Sequence, residues 1–294
     1  MTLWKEYYLP QNIDDALKSL ASAPGPVSLV AGGTDLLLDL QQGRHAPVHT
    51  LVDVSAIQEL KVLEIRQGRL FVGAAVPLNR IVASPLVAEH AQALVEAAGL
   101  IGGPQVRNTA TLGGNVGHAL PAADGTISLL ALDAQAEIAD AGGCRQVPLL
   151  ELFFGPGRST LVPGKEILVG FYLPLRASGE ASAFRRVMRP QGVAIAILNM
   201  SVWVRRQEDL ISEIRIGIGP AGTTPQRARS AEGILRGKPF AEQDLAQALD
   251  ALLAETHFRT SPHRSTAEYR HHLAGVLLKE TLSAAWDRTF STRA

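Results

Sequence analysis

The hydrophobic pattern changes period several times along the chain. Ile13, Ala16, Leu17 and Leu20 recur at helical spacing behind Asn12, a residue suited to capping, and predict a helix over 12–22. The apolar run Val27-Ser28-Leu29-Val30 predicts a strand over 27–31. Thr34 to Gln42 reads as a second helix, with Gly43 just past its end, where a left-handed residue stops helices. His49 to Val54 is another short strand. Strand, glycine turn, helix and strand make a small α/β unit over roughly residues 1–55.

From 56 to about 177 the pattern is mixed. Arg69 to Ala74 is strand-like, and Ser84-Pro85 opens a helix through Ala98 with a capping serine and a proline in the first turn. Residues 99–126 are rich in Gly, Pro, Asn and Thr yet lie between apolar segments, which predicts a long functional loop. Ala134 to Ile138 and Leu168 to Leu173 read as strands. Beyond residue 177 the period becomes two: Ala194 to Val204 and Leu210 to Ile218 alternate on either side of a polar turn, Arg205 to Asp209, as in an antiparallel hairpin. Helices follow at about 241–255 and 265–287, the second opened by a capping box, Ser265-x-x-Glu268. Strands followed by helices predict a separate C-terminal α+β domain over 178–294.

Two glycine pairs interrupt this pattern. Val30-Ala31-Gly32-Gly33-Thr34-Asp35 follows a strand, and Thr111-Leu112-Gly113-Gly114-Asn115 lies in the long loop, near Ile101-Gly102-Gly103 and Asp124. Glycines let a ligand approach the backbone closely, and a helix starting after them aims free amides at an anion. Such a site suits a pyrophosphate gripped by two loops. Either segment could instead be a turn that binds nothing, and Asp35 would repel a phosphate unless it points away or caps the helix. Gly217-Ile218-Gly219-Pro220-Ala221-Gly222 matches a dinucleotide fingerprint, but Thr223-Thr224-Pro225 delays any helix and the preceding strand belongs to the hairpin, so it is set aside. Arg185, Arg186 and Arg189 cluster at the domain switch, either as a solvated face or as cations near a cofactor or partner.

Composition narrows the function. The 294 residues exceed one ordinary core, and 28 basic against 28 acidic side chains give no reason to expect nucleic acid or an acidic membrane as partner. One cysteine, Cys144, cannot build a disulfide, a cysteine zinc site or an iron–sulfur cluster within the chain. The histidines lack metal-binding spacing, Ser159 sits in a Gly- and Pro-rich stretch that reads as a turn rather than a nucleophile elbow, and no acid–base constellation stands out. No stretch approaches the roughly 18 consecutive apolar residues of a membrane span, and the opening residues lack a signal-peptide layout, so the expectation is a cytoplasmic protein.

The pair AGGTDL (31–36) and TLGGN (111–115), with Tyr8-Leu9-Pro10, the block from Gly102 to Asp124, Lys165-Glu166-Ile167-Leu168, Gly219-Pro220, Pro225-Gln226-Arg227-Ala228 and Ser265-x-x-Glu268-Tyr269-Arg270, resembles the FAD-binding medium subunit of the molybdenum hydroxylases. The likeness runs over nearly the whole chain. It implies an α+β fold: a PCMH-type FAD-binding domain at 1–177, with subdomains of about 1–55 and 56–177, then a C-terminal domain with an antiparallel sheet packed by helices. It implies FAD with its pyrophosphate between Val30, Ala31, Gly32, Gly33, Thr34 and Asp35 on one side and Thr111, Gly113, Gly114 and Asn115 on the other. Ile101 and Gly102 would flank the isoalloxazine, Asp124 would hold ribose, and Leu168 would pack near the cofactor. Arg185, or Arg186 one residue on, stands where relatives carry lysine, and the acidic residue often found shortly after is absent at Gln191-Gly192-Val193.

The resemblance further implies partners, a large molybdopterin-binding subunit and a small [2Fe–2S] subunit, and an external acceptor to which electrons pass. The single cysteine fits that division of labour. Two other readings remain open from the residues: a free-standing flavin oxidoreductase with its own small-molecule substrate, and an assembly module whose glycine loops are empty.

Overall fold

The computed structural model describes residues 3–189 and 195–290. Three sheets of three or more strands organise them, beside a two-stranded ribbon of Phe153–Gly155 and Arg158–Ser159. A parallel three-stranded sheet orders Glu6–Tyr8, Thr50–Asp53 and Val27–Val30, with Thr50–Asp53 in the centre. An antiparallel five-stranded sheet orders Leu63–Arg66, Arg69–Gly73, Ile167–Pro174, Gln135–Asp140 and Gly143–Pro148. A second antiparallel sheet runs Glu180–Val187, Leu198–Gln207, Leu210–Gly219 and Gln226–Arg227, with Lys238–Pro239 added beside Leu210–Gly219.

Alternation along the central strands decides what each face covers, because successive side chains point to opposite sides of a sheet. Leu70, Val72 and Phe171 enter a core shared with the helices between residues 78 and 132. Phe71, Val169 and Tyr172 enter another, against Ala16 and Leu20 of the first helix and Val52 of the parallel sheet. The five-stranded sheet is thus the middle layer, buried on both sides. In the C-terminal part, Met200, Val202, Val204, Ile214, Ile216 and Ile218 pack against Leu273, Leu277 and Leu282 of the helix Ala267–Arg288. That is the expected α+β arrangement of an antiparallel sheet covered by helices.

Local chemistry explains the element ends. Asn12 caps the helix Ile13–Ser22, its side chain accepting from the Asp15 amide at 2.8 Å. Several boundaries differ from the pattern reading. The helix expected from Thr34 begins at Leu36, because Gly33 adopts φ +67° and holds Thr34 and Asp35 in the turn. The helix expected through Ala98 breaks at Ala91 (φ −143°, ψ 54°) into Pro85–His90 and Gln92–Leu100. The stretch expected to be a long loop contains two short helices, Pro104–Arg107 and Leu112–Gly117, and leads into a third, Asp124–Ala131, that is buried along its whole length. A helix buried all round carries no amphipathic period, so its pattern gave no signal.

The strand Glu180–Val187 also escaped notice, though it pairs with Leu198–Gln207 along its whole length. At the last helix the cap is Thr266, whose hydroxyl accepts from the Tyr269 amide at 3.1 Å, and not Ser265 of the expected capping box.

Candidate functional site

The two glycine segments meet. Gly32 lies against the backbone of Thr109 and Ala110, and a Cβ there would fall 2.8 Å from Ala110 Cα. Gly113 in turn lies on Ala74, its amide donating to the Ala74 carbonyl at 2.8 Å, and a Cβ would fall 2.6 Å from that same residue's Cβ. Only glycine allows both approaches. The close fit locks the first loop onto the second and both onto the end of the central sheet.

Each loop keeps donors in reserve. No amide from Gly32 to Asp35 donates a hydrogen bond to another described residue. In the second loop, Thr111 caps its helix by accepting from the Gly114 amide at 3.0 Å, and Asn115 Oδ1 accepts from Thr126 N at 3.3 Å. Gly114 and Gly117 are exposed, and a Cβ at Gly117 would meet nothing within 4 Å. Consecutive free amides around a positive-φ glycine form a concave anion site.

Beside this junction lies a cavity of about 160 Å³. Asp35 comes to it from the first segment and Asn115 from the second. Ile101, Gly102, Asp124 and Arg186 line it too, with His118, Leu120, Ala122, Ala123, Ile195 and Ala196. Five expected site residues therefore share one cavity: Asp35, Ile101, Gly102, Asn115 and Asp124. Val30 to Thr34 and Thr111 to Gly114 belong to the two loops beside it. Leu168 packs in the larger core and Arg185 forms no part of the lining.

A buried ion pair closes the floor. Asp124 is 5% exposed; its carboxylate accepts from Arg186 and, at 2.6 Å, from Asn199 Nδ2. Asn199 also donates to the Ala122 carbonyl at 3.1 Å. Burial pushes the Asp124 carboxyl above its ordinary range, against the opposing pull of the Arg186 charge and the Asn199 amide. Arg186 donates further to the Leu100 carbonyl at 2.5 Å, while its Nε is buried without a partner. Arg185 faces the other way and pairs with Glu96 at 3.4 Å. Arg189 is exposed. The segment Gln191-Gly192-Val193 lies outside the described residues.

Arg186 and Asn199 are the lining and supporting groups that sequence reasoning did not separate or see. Had the strand Glu180–Val187 been recognised, alternation would have placed Arg185 and Arg186 on opposite faces.

The set-aside glycines have another use. Cβ atoms at Gly217 and Gly219 would press on the Ile127 and Pro121 carbonyls, so both let the C-terminal sheet lie against the buried helix Asp124–Ala131. Among the described residues no group of three His, Cys, Asp or Glu side chains could hold a metal ion, and no helix is long and apolar enough to cross a membrane.

Free amides, a backbone approach open only to glycine, and an adjoining cavity with a fixed cation fit a cofactor with a pyrophosphate and a ring. Residues 3–176 match the family described as the FAD-binding domain in molybdopterin dehydrogenase, and residues 182–285 match the CO dehydrogenase flavoprotein C-terminal domain. The sequence is 32% identical over 282 residues, 95% of each chain, to the putative xanthine dehydrogenase FAD-binding subunit of Escherichia coli (strain K12). It is 31% identical to the carbon monoxide dehydrogenase medium chain of Hydrogenophaga pseudoflava, over 96% of this chain and 97% of that one. The fold is similar to a chain of carbon monoxide dehydrogenase from H. pseudoflava with a TM-score of 0.91 at 31% identity, covering 97% and 98% of the two chains. It is also similar to a chain of quinoline 2-oxidoreductase from Pseudomonas putida 86, with a TM-score of 0.89 at 26% identity over 98% of each.

Proposed function

The chain belongs to the family of FAD-binding medium subunits of the molybdenum hydroxylases, and from that premise we propose that it relays electrons from the iron–sulfur clusters of a partner subunit to an external acceptor. FAD, when bound, supplies a ring that takes up electrons and gives them on; the protein supplies its placement and its electrostatic surroundings.

The observation that carries the reading is the junction of the glycine segments. The amides of Gly32, Gly33, Thr34 and Asp35 donate to no other described residue, and Gly32 packs this segment onto Thr109 and Ala110, directly before the loop Thr111 to Asn115. In this reading the amides grip the pyrophosphate, with Val30 and Ala31 setting the first loop at the strand end. Ile101 and Gly102 flank the ring. Arg186, rather than Arg185, brings positive charge to it, because Arg186 is the one that lines the cavity. Asp124 keeps acceptor capacity for a ribose hydroxyl beyond the bonds it makes to Arg186 and Asn199. Leu168 backs the site from the core.

A large molybdopterin-binding subunit and a small [2Fe–2S] subunit complete the proposed complex, in the cytoplasm. The chain's one cysteine, Cys144, is free and exposed, which suits a reducing compartment and leaves clusters to the partner.

The test has two parts. Reconstituted protein should hold FAD, and both Gly32→Asp, which drives the two loops apart, and Gly114→Asp, which brings a carboxylate to the second loop, should abolish retention; normal retention in both would sink the two-loop site. In the assembled complex, substrate should bleach the flavin only when the small subunit is present. Bleaching of the isolated chain by substrate would instead indicate an oxidoreductase acting alone.

A further inference from the structure

A second cationic site lies in the C-terminal domain, outside the proposed FAD site. Arg270, in the first turns of the helix Ala267–Arg288, is 2% exposed, among the most buried side chains of the protein. Its Nε is buried with no hydrogen-bond partner, and no described carboxylate forms an ion pair with it.

Its charged neighbours have the same sign. Burial first, then the charges of Arg264 and Arg259, pull the Arg270 guanidinium below its ordinary range; Arg264 is pulled the same way by burial and by Arg259. Arg264 is half-buried and Arg259 exposed, so the three rank from the interior outward. The turn carrying Arg264 is closed by paired bonds between Ser261 and Ser265, at 2.8 and 3.1 Å, which fixes its approach to the helix.

Neither Glu255 nor Glu268 pairs with Arg270. Glu255 accepts from the Ser230 and Ala231 amides, and Glu268 is exposed on the helix without an ion pair among the described residues. The helix's own amides are partly taken as well: Ala267 N donates to Thr260 Oγ1 and Tyr269 N to Thr266 Oγ1, each at 3.1 Å.

Guanidinium stays protonated in proteins, and a buried charge without a counter-charge is strongly unfavourable. Elsewhere in this chain buried arginines are neutralised, Arg186 by Asp124 and Arg227 by Glu232 at 2.6 Å. We propose that Arg270, Arg264 and Arg259 form a binding site for a small multivalent oxyanion of the phosphate class. Several guanidinium forks presenting charged N–H donors to one centre match tetrahedral oxygens better than a single ammonium would.

The experiment is a phosphate titration of the FAD-loaded chain, followed by thermal unfolding, with ionic strength held constant by chloride. FAD occupancy keeps phosphate out of the flavin site, and the flavin spectrum reports that occupancy separately. The melting temperature should rise saturably with phosphate and stay flat in chloride alone. Arg264→Gln should raise the half-saturating phosphate concentration roughly tenfold or more, the loss expected for a charged hydrogen bond. Arg270→Gln should do the same, and if that variant does not fold, Arg264→Gln and Arg259→Gln carry the test. Equal responses in wild type and Arg264→Gln, or equal responses to phosphate and chloride, would overturn the site.

Discussion

Replacing Gly32 by alanine tests how the two glycine segments are joined. A Cβ at this position would stand 2.8 Å from Ala110 Cα and closer still to the Thr109 carbonyl. Ordinary carbon contacts lie at about 3.5–4.0 Å, so the loops must part by about 1 Å. Overpacking of this kind costs roughly 1–3 kcal/mol. The separation moves the amides of Gly32 to Asp35 away from the loop Thr111 to Asn115, so FAD cannot regain the original geometry without repaying that cost. Weakening of FAD binding by roughly 5- to 150-fold follows, at about 1.4 kcal/mol per tenfold. Titration calorimetry of the apoprotein with FAD measures it directly. Gly117→Ala is the matched control: it lies in the same short helix as Gly114, a Cβ there meets nothing within 4 Å, and its FAD affinity should be unchanged. Wild-type affinity in Gly32→Ala, or equal losses in both variants, would refute the reasoning.

Other expectations concern single interactions. Arg186→Gln strips the counter-charge from buried Asp124 and should destabilise the chain by about 3 kcal/mol near neutral pH, measured by urea unfolding. Burial already raises the Asp124 carboxyl, and without Arg186 it rises further. A raised folded value contributes stability below the unfolded value, near 3.9, and loses it as pH rises through the folded one. The defect should therefore grow as pH rises above about 4; a defect independent of pH would count against the pairing. Tyr7 is pushed up to about 12, chiefly by its hydrogen bond to Asp53, so that bond is intact below the free tyrosine value near 10 and is lost as pH climbs toward 12. Tyr7→Phe should remove an ionisation step near pH 12 from an ultraviolet titration, and an unchanged step there would contradict the contact. Glu232→Gln replaces the buried partner of Arg227 by a neutral group and leaves only the exposed Asp133, at 3.6 Å, as counter-charge; a loss of about 3 kcal/mol is expected, and a loss under about 1 kcal/mol would show the pair to be dispensable.

How far the chain could be read from its sequence depended on where each signal came from. The helix Ile13–Ser22 was legible because one face is apolar and Asn12 marks its start. The hairpin of Leu198–Gln207 and Leu210–Gly219 was legible because alternation persisted through both strands. The helix Asp124–Ala131 was not, since all eight residues are buried and burial on every side erases periodicity. At the site, glycines flagged both loops, but only the fold shows that Gly32 touches Thr109 and Ala110, a contact between segments far apart in sequence. The choice between Arg185 and Arg186 turned on strand phase, and the short polar end of Glu180–Val187 hid that phase. Asn199 and the partnerless Arg270 are statements about surroundings, which no local pattern encodes.

The most direct test of the central claim is a crystal structure of the chain with FAD bound. The pyrophosphate should lie within hydrogen-bond distance of amides from Gly32 to Asp35 and of the Thr111 to Asn115 loop, with the ring beside Ile101, Gly102 and Arg186. A pyrophosphate touching only one loop, or a ring outside the cavity floored by Asp124, would contradict it.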